Sequence, residues 1–200
     1  MKKALFLLSV LLLMTVGIAG TAVAVPTFYS GTGNYYEWFS GSFTWATARS
    51  NALGMSYLGE QGYLATITSA GENNFLIALG YSSTSNSYSD GWLGGTDSAT
   101  EGQWIWADGP ETGVVFWNGG AGGSSPTYAS WNGGEPNDSG GEDYLHLNGG
   151  GWNDLPGPNF SRDRGYFVEY GTPIPEPTTM LLLGAGLTGL AGFRRKFRKK

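Results

Sequence analysis

The stretch WNGGEPNDSGGEDYLHLNGGGWND, from Trp131 to Asp154, concentrates carboxylate and amide side chains among glycines. Carboxylates this close together repel one another unless a positive charge lies between them. A calcium ion suits such a set, because it takes six to eight oxygen ligands at about 2.3–2.6 Å from carboxylates, amide carbonyls and backbone carbonyls. The side chains of this kind are Glu135, Asn137, Asp138, Glu142, Asp143, Asn153 and Asp154.

Zinc is a poor alternative for this stretch. Zinc sites are built mainly from cysteine thiolates and imidazoles, and the chain has no cysteine and a single histidine, His146. Because His146 lies in the middle of a predicted strand, we expect it to have a hydrogen-bonded structural role. Ordinary turns and exposed acidic loops are the other interpretation, since glycine, asparagine and aspartate also favour turns.

Glutamate and asparagine occur in this stretch as two pairs. Glu135 and Asn137 flank Pro136, and Glu142 and Asn153 follow. A carboxylate only accepts hydrogen bonds, whereas an amide also has two donor hydrogens. A sugar hydroxyl can therefore give a lone pair to the ion, donate its proton to the carboxylate and accept a hydrogen bond from the amide. Two such pairs around one ion would serve two adjacent hydroxyls.

Two motifs, Glu135-Pro136-Asn137 and Trp152-Asn153-Asp154, resemble the sugar-binding motifs of C-type lectin domains of the mannose-binding kind. Trp92-Leu93-Gly94-Gly95 is similar to the Trp-Ile-Gly-Leu core motif of that family, and the resemblance runs from about Tyr35 to Tyr170. It implies an α+β, C-type lectin-like fold in which two helices flank small antiparallel sheets beside a long calcium-binding loop region.

The resemblance also implies two calcium sites and a cis peptide bond before Pro136. The principal site, which would hold the sugar, consists of Glu135, Asn137, Glu142, Asn153 and Asp154. Of these residues, the ones expected to contact the sugar are Glu135, Asn137, Glu142 and Asn153. The auxiliary site, which includes residues of the stretches 96–97 and 100–104, consists of Asp97, Glu101, Asp138, Glu142 and Asp143.

The absence of cysteine is a departure from the family pattern, in which two disulfides are usual. The positions that match those cysteines are Ala52 with Val168, and Tyr144 with Gly157. Loss of a native disulfide typically costs about 2–5 kcal/mol. We expect aromatic packing and bound calcium to replace the missing cross-links.

Composition favours one loop-rich domain with an aromatic core. Of the 200 residues, 34 are glycine, more than double the usual share of about 7%, and eight are tryptophan. Fifteen of the sixteen acidic residues but three of the eleven basic residues lie between Val25 and Ile174, which gives this body a net charge of −12. Such a body repels nucleic acids and anionic membranes, so no nucleic-acid partner is expected.

Residues 1–24 are typical of a secretory signal peptide. Lys2 and Lys3 precede an apolar run from Ala4 to Met14, and Ala22-Val23-Ala24 provides a small-residue cleavage site. A retained membrane helix is the alternative. The lectin-like domain would then span residues 25–172.

Residues 173–200 form a third segment, with an uncharged run from Thr178 to Phe193 and six basic residues after it. Pro175-Glu176-Pro177 before such a run resembles the PEP-CTERM sorting signal of Gram-negative bacteria. The resemblance implies transient insertion in the inner membrane, with the basic end in the cytoplasm. An exosortase would then release the exported protein to the cell surface or an extracellular matrix. A permanent anchor is the alternative.

Two helices are predicted between the aromatic strands. Trp45, Ala48, Ala52 and Leu53 recur at helical spacing between a Thr44 N-cap and Gly54. A capping box of Ser69 and Glu72 opens the second helix, which ends at Gly80 and whose inward residues are Phe75, Leu76 and Leu79.

Strands are predicted by short aromatic and β-branched runs. Tyr81–Asp90 is expected to be a polar loop and Gly109–Asn137 a long irregular loop. The last strand is expected to pair with the first. The predicted strands are Tyr35–Phe39, Tyr63–Ile67, one starting at Trp92, Trp104–Trp106 with both tryptophans in the core, Tyr144–Asn148 and Phe167–Tyr170.

Together these features predict a calcium-dependent carbohydrate-binding protein for mannose-, glucose- or fucose-type sugars or an exopolysaccharide. The alternative is a structural or protein-binding matrix module in which calcium only fixes loops. An enzyme is not expected, because there is no cysteine nucleophile, one imidazole and no Gly-x-Ser-x-Gly elbow.

Overall fold

The computed structural model describes residues 25–80, 90–157 and 165–172. The predicted signal peptide, most of the loop after Gly80 and the C-terminal sorting segment lie outside the described residues. The helices are α1 (Trp45–Leu53) and α2 (Ala70–Leu79). The strands are β1 (Thr27–Tyr29), β2 (Asn34–Phe39), β3 (Ser56–Tyr57), β4 (Glu60–Leu64), β5 (Asp90–Thr96), β6 (Gln103–Trp106), β7 (Val115–Asn118), β8 (Tyr144–Asn148), β9 (Gly151–Leu155) and β10 (Gly165–Tyr170).

The strands form one mixed sheet, along the order β1-β2-β10-β5-β6-β7, with β4 also paired to β10 and β8 also paired to β5. β10 is antiparallel to β2, so the two ends of the domain meet as predicted. β10 is parallel to β5, with Tyr166 opposite Trp92. The predicted α+β class with two helices is confirmed. The sheet is mixed rather than wholly antiparallel, because β10 is antiparallel to β2 but parallel to β5.

Helix α1 begins and ends where the sequence predicts. The Thr44 hydroxyl accepts a hydrogen bond from the Thr47 N–H at 3.0 Å, as an N-cap does. Gly54 follows the helix with its N–H bonded to the Ser50 and Asn51 carbonyls. Trp45, Ala48 and Ala52 are buried against the sheet.

Helix α2 has only half of the predicted capping box. Ser69 accepts from the Glu72 N–H at 3.2 Å. The Glu72 carboxylate does not return to the Ser69 backbone. It accepts instead from the Thr68 N–H at 2.8 Å and from the Tyr36 hydroxyl at 2.6 Å. Leu76 is fully buried as predicted, while Phe75 and Leu79 are only partly buried, because this face also buries Glu72 and Asn73.

Several strand predictions need correction. Strands β1 and β3 were not predicted, and β5 begins at Asp90 rather than at Trp92. β4 ends at Leu64 rather than Ile67, although the Ala65 N–H still bonds to Phe167 O at 2.9 Å. The predicted irregular loop Gly109–Asn137 contains β7, because Phe116 packs into the core and stacks on Trp106 with ring centroids 4.2 Å apart. Strand β9 was not predicted, since its pairing with β8 rather than its own composition makes it a strand.

The core is built from aromatic residues, as the composition predicts. Trp92, Trp104, Trp106 and Trp152 are all at most 1% exposed. At positions that match the cysteines of the family, side chains pack against the core instead of forming disulfides. Ala52 and Val168 lie in one buried cluster, and Tyr144 packs on Trp45 with centroids 4.6 Å apart. His146 is buried in β8, and its Nε2 contacts the Asp90 carboxylate, which confirms its structural role.

Candidate metal centre

The sheet brings the predicted ligands to one edge of the domain. β8 and β9 are antiparallel, with Tyr144 opposite Leu155, so the start of β8 lies beside the end of β9. β5 pairs with β8 at Thr96 and Tyr144. Asp97 therefore follows β5 next to Asp143, and its N–H donates to Asp143 O at 3.2 Å.

The Glu135-Pro136-Asn137 motif has the geometry implied by the family resemblance. The peptide bond between Glu135 and Pro136 is cis. Asn137 Nδ2 donates to Glu135 Oε2, so the amide and the carboxylate of the pair are in direct contact. Asn137 Oδ1 accepts from the Ser139 N–H at 2.9 Å, which fixes the orientation of the amide.

Asp138 ties this loop to β9. Its N–H donates to Asp154 Oδ2 at 2.8 Å, and its Oδ1 accepts from the Glu142 N–H at 2.8 Å. The Ser139 N–H also donates to Glu142 Oε2, at 3.2 Å. Asp138 has a positive φ of 51°, a left-handed conformation that aspartate tolerates better than most residues. The loop thus folds back so that Glu142 and Asp154 lie beside the Glu135–Asn137 pair.

Asp154 is the most constrained of the predicted ligands. It is fully buried, and its Oδ1 has no hydrogen-bond partner. Buried carboxylate oxygens are rarely left without a partner, so the chemistry of this oxygen fits a bound cation. Asn153 lies next to it on β9, and Asn153 Nδ2 contacts the Asp154 carbonyl oxygen. The five predicted residues of the principal site thus lie on neighbouring segments, but Glu135, Glu142 and Asp154 do not place one carboxylate oxygen each within 4.8 Å of the others.

Burial and mutual repulsion raise the pKa values of these carboxyl groups. Burial, followed by contact with Asp154, raises the pKa of Glu135. Burial and the Asp154 charge raise the pKa of Glu142 to about 7. A cation held between these groups would remove the repulsion and favour their charged forms.

A second group of acids lies across from the first. Asp97, Glu101 and Asp143 each place one carboxylate oxygen within 4.8 Å of the others, and this is the only such group of three within the described ranges. Asp97 Oδ2 accepts from the Gly102 N–H at 2.9 Å, while its buried Oδ1 has no partner. Burial raises the pKa of Asp97 to about 7, and the charges of Glu101 and Asp143 add to this.

The two remaining predicted auxiliary ligands lie between the groups. Burial raises the pKa of Glu101, and the charges of Asp138 and Asp143 raise it further. Asp138 also lines the same cavity as Asp97 and Glu101. Glu142 is held by Asp138 and Ser139 nearer to Asp154. A cavity of about 300 Å³ joins both groups, and its lining includes Asp97, Glu101, Asn137, Asp138 and Asp154.

Sequence reasoning missed one part of this cavity. Trp104 and the segment Gly119–Ala121 also line it. The segment follows β7, and the Gly119 N–H donates to Gly102 O at 2.7 Å, next to the turn that begins at Asp97. Small residues that contribute mainly backbone leave no side-chain signal, so only the pairing of β6 with β7 locates them.

The family model described as the C-type lectin domain matches residues 45–157, which is more than half of the chain. The chain belongs to the C-type lectin domain family. A second family model, the PEP-CTERM protein-sorting motif, matches residues 173–196. Both resemblances seen in the sequence are thereby confirmed.

Relatives of this C-type lectin domain occur in distant organisms. The chain is 40% identical over 161 residues to halomucin of Haloquadratum walsbyi, covering 78% of this chain and 2% of that protein. It is 33% identical over 121 residues to the alpha-N-acetylgalactosamine-specific lectin of Patiria pectinifera, covering 60% of this chain and 62% of that lectin. The C-type lectin CEL-I from Cucumaria echinata has the same fold, with a TM-score of 0.54, 26% identity and coverage of 73% and 96%.

Membership of the C-type lectin family supports carbohydrate binding rather than catalysis as the function. C-type lectin domains typically bind calcium, and the acidic group at Asp97, Glu101 and Asp143 fits such an ion. The PEP-CTERM motif implies an exported protein that is processed at its C-terminus. Within the described residues, no helix has the length and apolar character needed to span a bilayer.

Proposed function

We propose that this domain binds sugars through a calcium ion held by Glu135, Asn137, Glu142, Asn153 and Asp154. The observation that carries the proposal is the unpartnered, fully buried Oδ1 of Asp154, close to a glutamate–asparagine pair. Each of the five residues supplies a carboxylate or amide oxygen, which are the ligand types that calcium prefers.

The sugar would bind by two adjacent equatorial hydroxyls. Glu135 and Asn137 are already paired as acceptor and donor, so a hydroxyl inserted between them can donate to the carboxylate and accept from the amide. Glu142 and Asn153 would serve the second hydroxyl. This arrangement suits mannose-, glucose- or fucose-type sugars.

A second calcium ion would occupy the group formed by Asp97, Glu101 and Asp143, with Asp138 and Glu142 nearby. This ion would fix the loop that carries the principal ligands. Because the charges of Glu101 and Asp143 raise the pKa of Asp97, and the charge of Asp143 raises the pKa of Glu101, the loop should be least stable when the group is empty. The loop would therefore be better ordered with two ions bound than with one.

The segments outside the domain would act as addresses. Residues 1–24 would be removed as a signal peptide, residues 25–172 would form the lectin domain, and residues 173–200 would be removed by an exosortase after transient insertion in the inner membrane. The protein would then act at the cell surface or in an extracellular matrix. Single-site affinity is expected to be weak, and adhesion would come from many copies.

Retention on immobilised mannan tests the proposal. The protein should be retained in calcium and should elute with either a calcium chelator or free mannose. Elution by the chelator together with no effect of mannose would favour the alternative of a structural matrix module. Retention that survives an excess of chelator would contradict calcium-dependent binding outright. Immobilised galactan provides the control surface, since it should retain less protein.

A further inference from the structure

The chain leaves the domain at the end of β10, between two hairpin turns. β10 pairs with β2 on one side and with β4 on the other. The hydroxyl of Thr172 donates to Gly33 O at 2.8 Å, in the turn between β1 and β2. The turn between β3 and β4, Leu58–Gly59, lies on the other side of β10. The segment 173–200 therefore starts between these two turns.

A strip of apolar side chains lies beside this exit. The ring centroids of Phe28 and Tyr35 are 5.1 Å apart, and those of Tyr35 and Tyr57 are 5.0 Å apart. Leu58 extends the strip into the β3–β4 turn. Within the described ranges only four large hydrophobic side chains are exposed, and Phe28 and Leu58 are two of them, at 49% and 56%. We name Phe28, Tyr35, Tyr57 and Leu58 the exit strip.

Leucine is an unfavourable residue for its position in this strip. β3 and β4 are joined by Leu58 and Gly59 alone, whose φ values are 51° and 91°. Two-residue hairpin turns with two positive φ values favour asparagine, aspartate or glycine, and a leucine there is strained. Strain of this kind is concentrated at functional positions. The strain and the exposure of Leu58 together indicate that its side chain serves a contact outside the domain.

The sequence after the strip limits how far the domain can lie from a bilayer. Residues 173–177 separate Thr172 from the uncharged run Thr178–Phe193, and five residues reach at most about 17 Å. As a helix, the sixteen residues of the run would be about 24 Å long, which is less than the roughly 30 Å hydrocarbon core. A span shorter than the core leaves no spare length to hold the domain away from the headgroups.

We propose that the exit strip contacts the headgroup boundary of the inner membrane while residues 173–200 are inserted there. This inference rests on the proposed insertion of the sorting segment. Aromatic side chains favour this boundary, and Leu58 adds apolar area that can enter it.

The contact requires the tether. A body with a net charge of −12 is repelled by anionic lipids, so the free domain is not expected to bind the membrane. A short linker offsets this repulsion, because it gives the strip a high effective concentration at the bilayer. Removal of the sorting segment would therefore end the contact and release the domain from the membrane surface.

Quenching of a fluorescent label by lipid headgroups tests the contact. The chain has no cysteine, so Ser30→Cys in the β1–β2 turn and Ser40→Cys beyond the other end of β2 each accept a single dye. Both positions are exposed, and the six residues of β2 separate them by about 20 Å. The exported precursor, with residues 173–200 retained, would be reconstituted in vesicles of phosphatidylethanolamine and phosphatidylglycerol. A nitroxide on the headgroups should quench the dye of Ser30→Cys at least about twofold more than that of Ser40→Cys.

Two outcomes separate this inference from the insertion on which it rests. Equal quenching at both positions, in precursor that floats with the vesicles, would overturn the contact and leave the insertion intact. Precursor that does not float with the vesicles would overturn both. A flexible insert of about twenty glycine and serine residues after Thr172 should reduce the difference between the two positions, because it lowers the effective concentration. An unchanged difference would contradict the need for a short tether.

The change Leu58→Asn distinguishes a membrane contact from a structural role. Asparagine tolerates a positive φ better than leucine, so the variant should unfold at the same or a higher temperature than the parent protein. Quenching at Ser30→Cys should nevertheless fall by at least about half, because the turn loses its apolar side chain. Ser56→Asn, at an exposed position of the same hairpin, is the matched control and should quench like the parent protein. Unchanged quenching or a lower unfolding temperature for Leu58→Asn would show that the leucine stabilises the turn instead.

Discussion

Asp154 Oδ2 accepts a hydrogen bond from the Asp138 N–H at 2.8 Å, which joins strand β9 to the loop that carries Glu135 and Asn137. The other carboxylate oxygen of Asp154 is buried without a partner. One side chain thus holds the loop with one oxygen and offers the other to the proposed ion. A rigid strand in this way positions a site that is otherwise built on an irregular loop.

Asp154→Asn should lower calcium affinity by at least about tenfold, because even residues that only orient metal ligands typically matter by 10–100-fold. The amide keeps the size of the side chain but removes one negative charge from the groups that bind the ion. Calorimetric titration with calcium measures the effect. Glu60→Gln, a charge removal away from the site, should leave the affinity unchanged. Equal affinities for Asp154→Asn and the parent protein would exclude Asp154 as a ligand.

The double change Glu135→Gln with Asn137→Asp should shift preference towards galactose-type sugars. It exchanges the donor and the acceptor around one coordinated hydroxyl while keeping the size of both side chains. A glycan array in calcium measures the preference, and calcium affinity should change little because both ligand oxygens remain. An unchanged sugar preference would argue against direct coordination of the sugar hydroxyls.

Calcium should stabilise the fold, since an ion that binds only the folded state adds about 2.7 kcal/mol at 100 times its dissociation constant. For a domain of this size we expect the unfolding midpoint to rise by roughly 5–10 °C. Thermal unfolding in calcium and in chelator measures the shift, with magnesium as the control ion. An equal midpoint in calcium and chelator would mean that neither site binds the ion.

Glu169 should make stability fall as pH rises towards neutrality. Burial, together with the nearby Glu72 charge, raises the pKa of Glu169 to about 7 from its usual 4.5. Between these values the unfolded chain has released the proton and the folded protein still holds it, so unfolding becomes more favourable as pH increases. Below about pH 4.5 both states are protonated, and the contribution of this group is constant.

Urea denaturation between pH 4.5 and 7.5, at fixed chelator concentration, measures this slope. Glu169→Gln should flatten it, because the amide can still accept from Thr66 N–H, which donates to Glu169 Oε2 at 3.0 Å. Glu60→Gln should keep the parent slope, which isolates the effect of Glu169 from that of the acidic loop. Equal slopes for Glu169→Gln and Glu60→Gln would show that Glu169 does not titrate in this range.

The parts of the fold that local sequence specifies were predicted well. Helix α1 lies between Thr44 and Gly54 as expected, and β8 begins and ends at its predicted residues. The parts set by distant partners were missed. β9 is a strand because it pairs with β8 along its whole length. The Glu72 carboxylate does not bond to the Ser69 backbone, because it accepts hydrogen bonds from Tyr36 and Thr68 instead.

The site could be predicted as a set of residues but not as a geometry. The residue types in Glu135-Pro136-Asn137 and Trp152-Asn153-Asp154 point to calcium and sugar without any structure. The link between Asp138 and Asp154 and the approach of Gly119–Ala121 depend on how strands pair across the sheet. No local pattern encodes these contacts, because the residues involved are separated by long stretches of chain.

Calorimetric titration of methyl α-mannoside into the exported protein, first in excess chelator and then in calcium, tests the central claim most directly. The account predicts no heat of binding in chelator, saturable binding in calcium, and loss of that binding in the Asp154→Asn variant at a calcium concentration that saturates the parent protein. Sugar binding of equal affinity in chelator and in calcium would contradict it.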